Sequence, residues 1–290
     1  MPGVTVAGAQ DANVVTAGTC EADGTRVMIR RSWSHDELIL AMNLYCQLPF
    51  GKLHARNRDI IRLASYLNRT SSSVAMKLCN LASLDPAHQH RGIRGLSKVS
   101  AGDRAVWNEF HEDWNRLAAE SETLRERMRK NEAPRETDST TVRRSDTRWL
   151  AGYSGETEVS REVRVRLAQR FFRRAVISSY DFRCCVTGIE IRSLLIASHI
   201  LPWARYPTLR ADPCNGLCLS RLHDAAFDRG LITLDDDFRL VLSTDLRAGL
   251  SNSVLAASFQ PFEGQCIRLP QKLRPDPNLL RIHRETVFRA

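Results

Sequence analysis

Apolar and polar positions first recur with a helical period just after Trp33. Ser34 and Glu37 have the spacing of a capping box, in which two side chains satisfy free backbone N–H groups at the start of a helix. Apolar residues then recur every three or four positions, and the pattern stops at Pro49-Phe50-Gly51. We therefore predict a helix that has Ser34 as its N-cap and a buried face formed by Leu38, Met42 and Cys46.

Two further short helices are predicted after this one. The first covers residues 59–67, a polar break follows at Asn68-Arg69-Thr70, and the second begins at Ser71. Two short helices around a tight turn are typical of a helix-turn-helix, whose second helix enters a DNA groove. On this interpretation the outward face of the second helix carries Ser71, Ser72, Lys77 and Asn80. The alternative is an ordinary helical hairpin with a solvated polar face.

A longer helix is predicted from about Ala101 to Lys130, with an apolar stripe formed by Val106, Phe110, Trp114 and Leu117. Residues 131–158, which follow this helix, have few large apolar side chains, and so do residues 1–30. Neither segment has enough apolar surface to form a folded core. We therefore predict four segments: a disordered tail (1–30), a helical DNA-recognition module (31–130), a linker (131–158) and a second domain (159–290).

The composition indicates a polyanionic partner. The 290 residues include 42 Lys and Arg against 33 Asp and Glu, a formal net charge of +9. A basic excess favours nucleic acid, because neutralised phosphates release their counterions. We expect neither a membrane span nor a signal peptide. The eight cysteines then suit a reducing cytoplasm better than a disulfide framework.

The second domain begins with a strongly basic helix. Between Arg161 and Arg183 there are seven arginines and two acidic residues, a local balance of 7 − 2 = +5. One apolar side is predicted, formed by Val163, Leu167, Phe171 and Val176. Most of the arginines should then face water or phosphate, and basic stripes follow the nucleic-acid backbone. The predicted DNA contacts are Arg166, Arg170, Arg173 and Arg174, together with Lys77 of the N-terminal module.

After Tyr180 short β-type runs alternate with turns. One strand ends at His199, a loop leads to the Asn215-Gly216 turn, and a second strand and a short helix follow. The helix carries His223, Asp224 and Asp228, of which the two aspartates are four residues apart and share a face. We expect a divalent cation held by this helix to lie opposite His199.

This set of residues suits the hydrolysis of a phosphodiester. A neutral histidine can take a proton from water. A metal ion held by imidazole and carboxylate can stabilise the charge that develops on the phosphate, and an asparagine in the loop can brace the backbone. Any one of these residues alone would be interpreted as an ordinary surface side chain.

Three blocks of sequence, FFRRAVISSYDFRCCVTGI, ASHILPW and NGLCLSRLHDAAFDRGLITLD, occur in this order between about Arg166 and Leu240. They resemble the HNH (ββα-metal) endonuclease family, in particular its branch found in bacterial restriction and defence proteins. The resemblance implies that His199 is the general base, that Asn215 braces the loop and that His223 is a metal ligand. All three are thereby implied to serve catalysis.

The sequence departs from the family's pattern at two positions. Many HNH proteins have a metal-binding aspartate just before the base histidine, and here Ser198 occupies that place. The final histidine also lies one position earlier relative to Asn215 than in the commonest spacing. The second metal ligand beside His223 is therefore Asp228 or Asp224, and we predict Asp228.

The expected cofactor is a divalent cation. Mg²⁺ is the predicted ion, and Mn²⁺ and Ni²⁺ are alternatives. The cysteine pairs Cys184-Cys185 and Cys214/Cys218 lack the C-x-x-C spacing of structural zinc sites. No structural zinc is predicted.

The predicted fold is α+β, with an N-terminal helix-turn-helix-like module and a C-terminal ββα-metal HNH nuclease domain that ends in a strand-rich extension (231–242 and 258–269). The predicted function is metal-dependent hydrolysis of DNA in cytoplasmic restriction or defence, and one active site per chain suggests a homodimer. One alternative is a DNA-binding regulator or adaptor whose HNH-like module is inactive, although an intact trio of His199, Asn215 and His223 argues against it. Another is a nuclease that acts on RNA.

Overall fold

The computed structural model describes residues 31–91, 99–132 and 158–290. The predicted tail and nearly all of the predicted linker lie outside these ranges. Residues 33–290 form one compact unit. The N-terminal helices are α1 (His35–Gln47), α2 (Arg58–Tyr66), α3 (Ser71–Ala82), α4 (Pro86–Gln89), α5 (Ala101–Glu112) and α6 (Trp114–Glu132). The later helices are α7 (Glu158–Ser179), α8 (Arg221–Asp228), α9 (Thr244–Ala248), α10 (Ser253–Phe259) and α11 (Pro277–Thr286).

The first helices begin and end close to where local sequence signals place them. Ser34 and Glu37 form the predicted capping box of α1. Helix α2 ends just before Asn68, whose φ of 50° is left-handed, and α3 begins at Ser71 with Thr70 as N-cap. The two helices pack against each other. Whether this hairpin reads DNA stays a prediction.

The long helix predicted over residues 101–130 is instead two helices. Asp113 interrupts it with φ −148° and ψ 81°. Its side chain accepts a hydrogen bond from the backbone N–H of Arg116 at 3.0 Å, as an N-cap does at the start of a helix. The apolar period runs through both helices, so the pattern alone concealed the break.

Helix α7 lies between two hydrophobic cores. Ala168 and Phe171 pack with the N-terminal helices, whereas Phe172 and Val176 pack with the C-terminal strands and helices. Val163, predicted as part of a single apolar stripe, is 48% exposed. The prediction of one apolar side was wrong, because α7 is buried on two faces. Fewer directions then remain in which its arginines can face solvent.

A hairpin of two antiparallel strands, β1 (Leu195–His199) and β2 (Gly216–Ser220), packs against α7. His199 pairs with Gly216 at the open end. A Cβ atom at Gly216 would lie 2.3 Å from Val176 and 3.0 Å from Phe172, so only glycine permits this approach. Helix α8 follows directly with Ser220 as N-cap. The predicted strand–loop–strand–helix order is confirmed.

The C-terminal extension contains more helix than predicted. Strands β3 (Ile232–Leu234) and β4 (Leu240–Leu242) form a second antiparallel pair, as expected for residues 231–242. Residues 258–269 contribute only isolated bridges, through Glu263 and Cys266, and the prediction of a strand there was wrong. None of the described helices combines the length and apolar character that a membrane crossing requires.

Candidate active site

The imidazole of His199 is held by contacts on three sides. It stacks on Phe172 with ring centroids 3.8 Å apart and an interplanar angle of 7°. The ring of Trp203 is nearly perpendicular to it, with centroids 5.4 Å apart. Its Nε2 lies 3.0 Å from the carbonyl oxygen of Arg210. A carbonyl can only accept, so Nε2 carries the hydrogen and Nδ1 keeps a lone pair.

The same surroundings keep His199 neutral. Burial lowers its pKa below the ordinary histidine value, and the hydrogen bond to Arg210 opposes this only in part. Since an imidazole must be neutral to accept a proton, the site favours the basic form. Neither Phe172 nor the Arg210 carbonyl was foreseen from the sequence.

Asn215 braces the loop that joins β1 to β2. Its Oδ1 accepts a hydrogen bond from the backbone N–H of Leu201 at 2.8 Å, and its Nδ2 donates to the carbonyl oxygens of Leu209 at 3.2 Å and Leu201 at 3.4 Å. The residue is 1% exposed. Because Arg210 follows Leu209, this brace also holds the carbonyl that orients His199.

A second asparagine, which the sequence analysis missed, holds the same loop from outside. The Nδ2 of Asn115, on α6, donates to the carbonyl oxygens of Pro207 and Thr208 at 3.0 Å each. Its Oδ1 accepts from the backbone N–H of Ala211, also at 3.0 Å. The loop is thus fixed from within the hairpin and from an N-terminal helix, and no local signal connects Asn115 to it.

His223 is buried on α8 and has partners different from those of His199. Its Nε2 is 3.1 Å from the carbonyl oxygen of Ser258, and its Nδ1 is 2.9 Å from the hydroxyl of Ser220. The ring is 2% exposed and packs against Phe259. With both nitrogens engaged, this conformation does not present His223 to a cation, contrary to what the resemblance implied.

The two aspartates of α8 lie beside β1. Asp224 and Asp228 are one helical turn apart. Burial raises the pKa of Asp224. The hydroxyl of Ser198 and the positive charge of Arg221 oppose this increase in part. Burial also raises the pKa of Asp228, and the charge of Asp224 adds to this. The Ser198 hydroxyl is buried and makes no well-formed hydrogen bond among the described residues. Successive strand residues face opposite ways, so Ser198 faces α8 and His199 faces α7.

This hairpin and helix lie in a segment that is similar to known proteins. Residues 184–235 match the HNH endonuclease family. The HNH segment contains β1, β2, α8 and β3, and therefore His199, Asn215 and the aspartates of α8. No curated protein matches the chain.

The donor set of the HNH segment suits a hard divalent cation. Across residues 31–91, 99–132 and 158–290, no three histidine, cysteine, aspartate or glutamate side chains come together as a complete metal site. Mg²⁺, however, commonly takes only one or two carboxylates and fills its other positions with water and substrate phosphate. Asp224 and Asp228 supply two carboxylates of this kind, and the Ser198 hydroxyl lies near Asp224.

The predicted DNA-binding residues have different surroundings from those expected. Lys77 is 7% exposed, and its Nζ lies 2.6 Å from the buried carboxylate of Asp103. The prediction that it faces outward was wrong, because α5 supplies a charge partner that the sequence pattern does not show. Arg166 is exposed and pairs with Glu162 on the same helix.

The other three arginines of α7 divide into two kinds. Arg170 and Arg174 bind Glu122 of α6, at 2.9 Å and 3.2 Å, so both are partly neutralised within the fold. Arg173 donates to the carbonyl oxygen of Leu195 at 3.0 Å and points to the His199 side of α7. Of the predicted set, Arg173 is the one that lies beside His199.

Proposed function

We propose that this protein is a divalent-metal-dependent endonuclease that hydrolyses phosphodiester bonds of DNA. The observation that carries the proposal is the match of residues 184–235 to the HNH endonuclease family. The folded segment supports it, because the strand that carries His199 packs against the helix that carries Asp224 and Asp228.

In the proposed mechanism His199 is the general base. Its Nδ1 accepts a proton from the attacking water, and the positive charge that results is stabilised by the Nε2–H bond to the Arg210 carbonyl. Phe172 and Trp203 fix the ring plane, and Asn215 fixes the loop behind it. Prearranged groups of this kind lower the barrier because they need no reorganisation during the reaction.

Asp224 and Asp228 are the residues that would hold the cation. When bound, a divalent ion supplies positive charge that stabilises the phosphate and the departing oxygen. Removing either carboxylate should then impair cation binding, whereas the β1–β2 hairpin should still fold. His223 has a different role in this proposal. One hydrogen bond joins it to the carbonyl oxygen of Ser258, and a second holds its ring against Ser220 at the start of α8.

Sequence recognition by the α2–α3 hairpin, a role in cytoplasmic restriction or defence and a homodimeric state belong to the same proposal. They rest on the resemblance of the three sequence blocks and on the helical pattern. Recognition should be tested in the full chain, because removing residues before α7 would uncover Ala168 and Phe171. Asn80 is unsuited to this test because its Oδ1 is buried, whereas Ser72 is exposed. A change in cleavage pattern after Ser72→Ala would support the hairpin as the reader of sequence.

The experiment that tests the proposed function is digestion of a supercoiled plasmid by the purified full chain. Metal-free protein should leave the plasmid intact, and separate additions of Mg²⁺, Mn²⁺ and Ni²⁺ should show which ion supports nicked or linear product. Unmodified and methylated plasmids, and an RNA transcript of similar length, identify the substrate. No cleavage of any substrate with any ion would contradict the proposal.

A further inference from the structure

A cationic groove adjoins the pocket that contains His199. The groove has a volume of about 300 Å³ and lies along α7, where its lining includes Gln47, Phe182 and the four arginines Arg170, Arg173, Arg174 and Arg192. The neighbouring pocket, about 270 Å³, includes His199, Phe172 and Trp203. Arg173 lines both, so the two cavities meet at its side chain.

The charge in the groove is only partly compensated. None of the described residues that line it is acidic. Arg170 and Arg174 share the buried carboxylate of Glu122. For Arg173 and Arg192, by contrast, no carboxylate among the described residues is within ion-pair distance, and both side chains are exposed. Two guanidinium groups are therefore available to an anion, one of them beside His199.

The turn that follows α7 holds Arg192 at the groove. Its guanidinium lies over the ring of Phe182, 3.9 Å from the ring centroid. Phe182 and the preceding Asp181 both have left-handed backbones, with φ of 60° and 52°. The backbone N–H of Phe182 donates to the carbonyl oxygen of Ile177 at 3.0 Å, as at a capped helix end, so this turn is fixed by a hydrogen bond. The turn thus keeps an aromatic ring, and the arginine stacked on it, at the wall of the groove.

We propose that this groove binds a backbone phosphate of the same DNA strand whose scissile phosphodiester lies at His199. The inference rests on the proposed function and names how that site holds its substrate. Arg173 and Arg192 have the planar, bidentate donor geometry that matches a phosphate. Contacts to the backbone position a strand without reading its sequence. The groove therefore sets affinity and register, and it leaves sequence preference unchanged.

The test is DNA binding by the full chain without metal, so that no cleavage interferes. The probe is a fluorescein-labelled duplex in EDTA, followed by anisotropy over a series of salt concentrations. Arg173→Gln and Arg192→Gln should each raise Kd about tenfold at low salt, the size expected for one charged hydrogen-bonding interaction. The slope of log K against log salt should become shallower by roughly 0.9 for each phosphate that the variant no longer neutralises.

Two further variants separate this effect from general ones. Arg281→Gln is the matched control, because Arg281 is an exposed arginine of α11 paired with Glu285. It should bind like the parent protein. Arg192→Lys keeps the charge and loses the planar stack on Phe182. It should restore most of the salt slope and only part of the affinity.

The groove inference and the proposed function can fail separately. If Arg173→Gln and Arg192→Gln bind with the parental Kd and slope, the groove inference is overturned, whatever the plasmid digestion shows. If both lose affinity and the parent protein cuts no substrate, the proposed function fails while the groove remains a DNA-binding surface. Circular dichroism melting of each variant ensures that the affinity refers to folded protein, and a loss of affinity shared by Arg281→Gln would also overturn the inference.

Discussion

The brace formed by Asn215 gives a prediction whose size follows from the structure. Asn215→Ala removes three hydrogen bonds and leaves the N–H of Leu201 without its partner in a buried site. A hydrogen bond contributes about 1 kcal/mol net, and an unsatisfied buried group costs about 1–3 kcal/mol. Because the bond to the Leu201 carbonyl is long, we expect the free energy of unfolding to fall by about 2–4 kcal/mol.

The comparison variant is Asn115→Ala, which removes three hydrogen bonds to the same loop from a solvent-accessible position. Water can replace those bonds, so the expected loss is only about 1 kcal/mol. Urea unfolding followed by tryptophan fluorescence measures both values. Cleavage by Asn215→Ala should lie between that of the parent protein and that of a variant without His199. The reasoning is refuted if Asn215→Ala is no less stable than Asn115→Ala.

Three other outcomes are expected. Glu122→Gln, which leaves Arg125, Arg170 and Arg174 without their shared buried carboxylate, should lower the free energy of unfolding by about 3 kcal/mol in urea titrations. Burial lowers the pKa of His283 to about 4, below its unfolded value of about 6.5. The free energy of unfolding should therefore be highest above pH ~6.5 and fall by about 3 kcal/mol as the pH drops to ~4. His283→Asn should lack this pH dependence. Lys77→Ala should destabilise the fold by about 3 kcal/mol without changing DNA affinity, because it leaves Asp103 buried and unpaired.

Features that depend on neighbouring residues were predicted from the sequence. The capping box of Ser34 and Glu37, the break at Asn68 and the strand–loop–strand–helix order of the HNH segment all involve residues close together in the chain. Local hydrogen bonding and periodicity decide such features. For the same reason the bracing bonds of Asn215 to its own loop were foreseen.

Features that depend on distant partners were not predicted. Lys77 is buried because Asp103, 26 residues away, neutralises it. The ring of His223 is held by the carbonyl oxygen of Ser258, 35 residues further along the chain. The number of arginines on α7 could not show that two of them, Arg170 and Arg174, form ion pairs with Glu122. In each case a tertiary contact outweighs the local tendency of a charged or polar residue to face solvent.

The central claim, that His199 is the base of a nuclease, is tested most directly by the cleavage rate of His199→Ala on supercoiled plasmid with saturating metal ion. The matched control is His54→Ala, which removes an exposed histidine outside the HNH segment. Loss of a general base lowers rates by about 10²–10⁴ and affects substrate binding little. The account predicts that His199→Ala falls to near background while it binds DNA with the parental Kd, and that His54→Ala is unchanged. Cleavage by His199→Ala at close to the parental rate would contradict it.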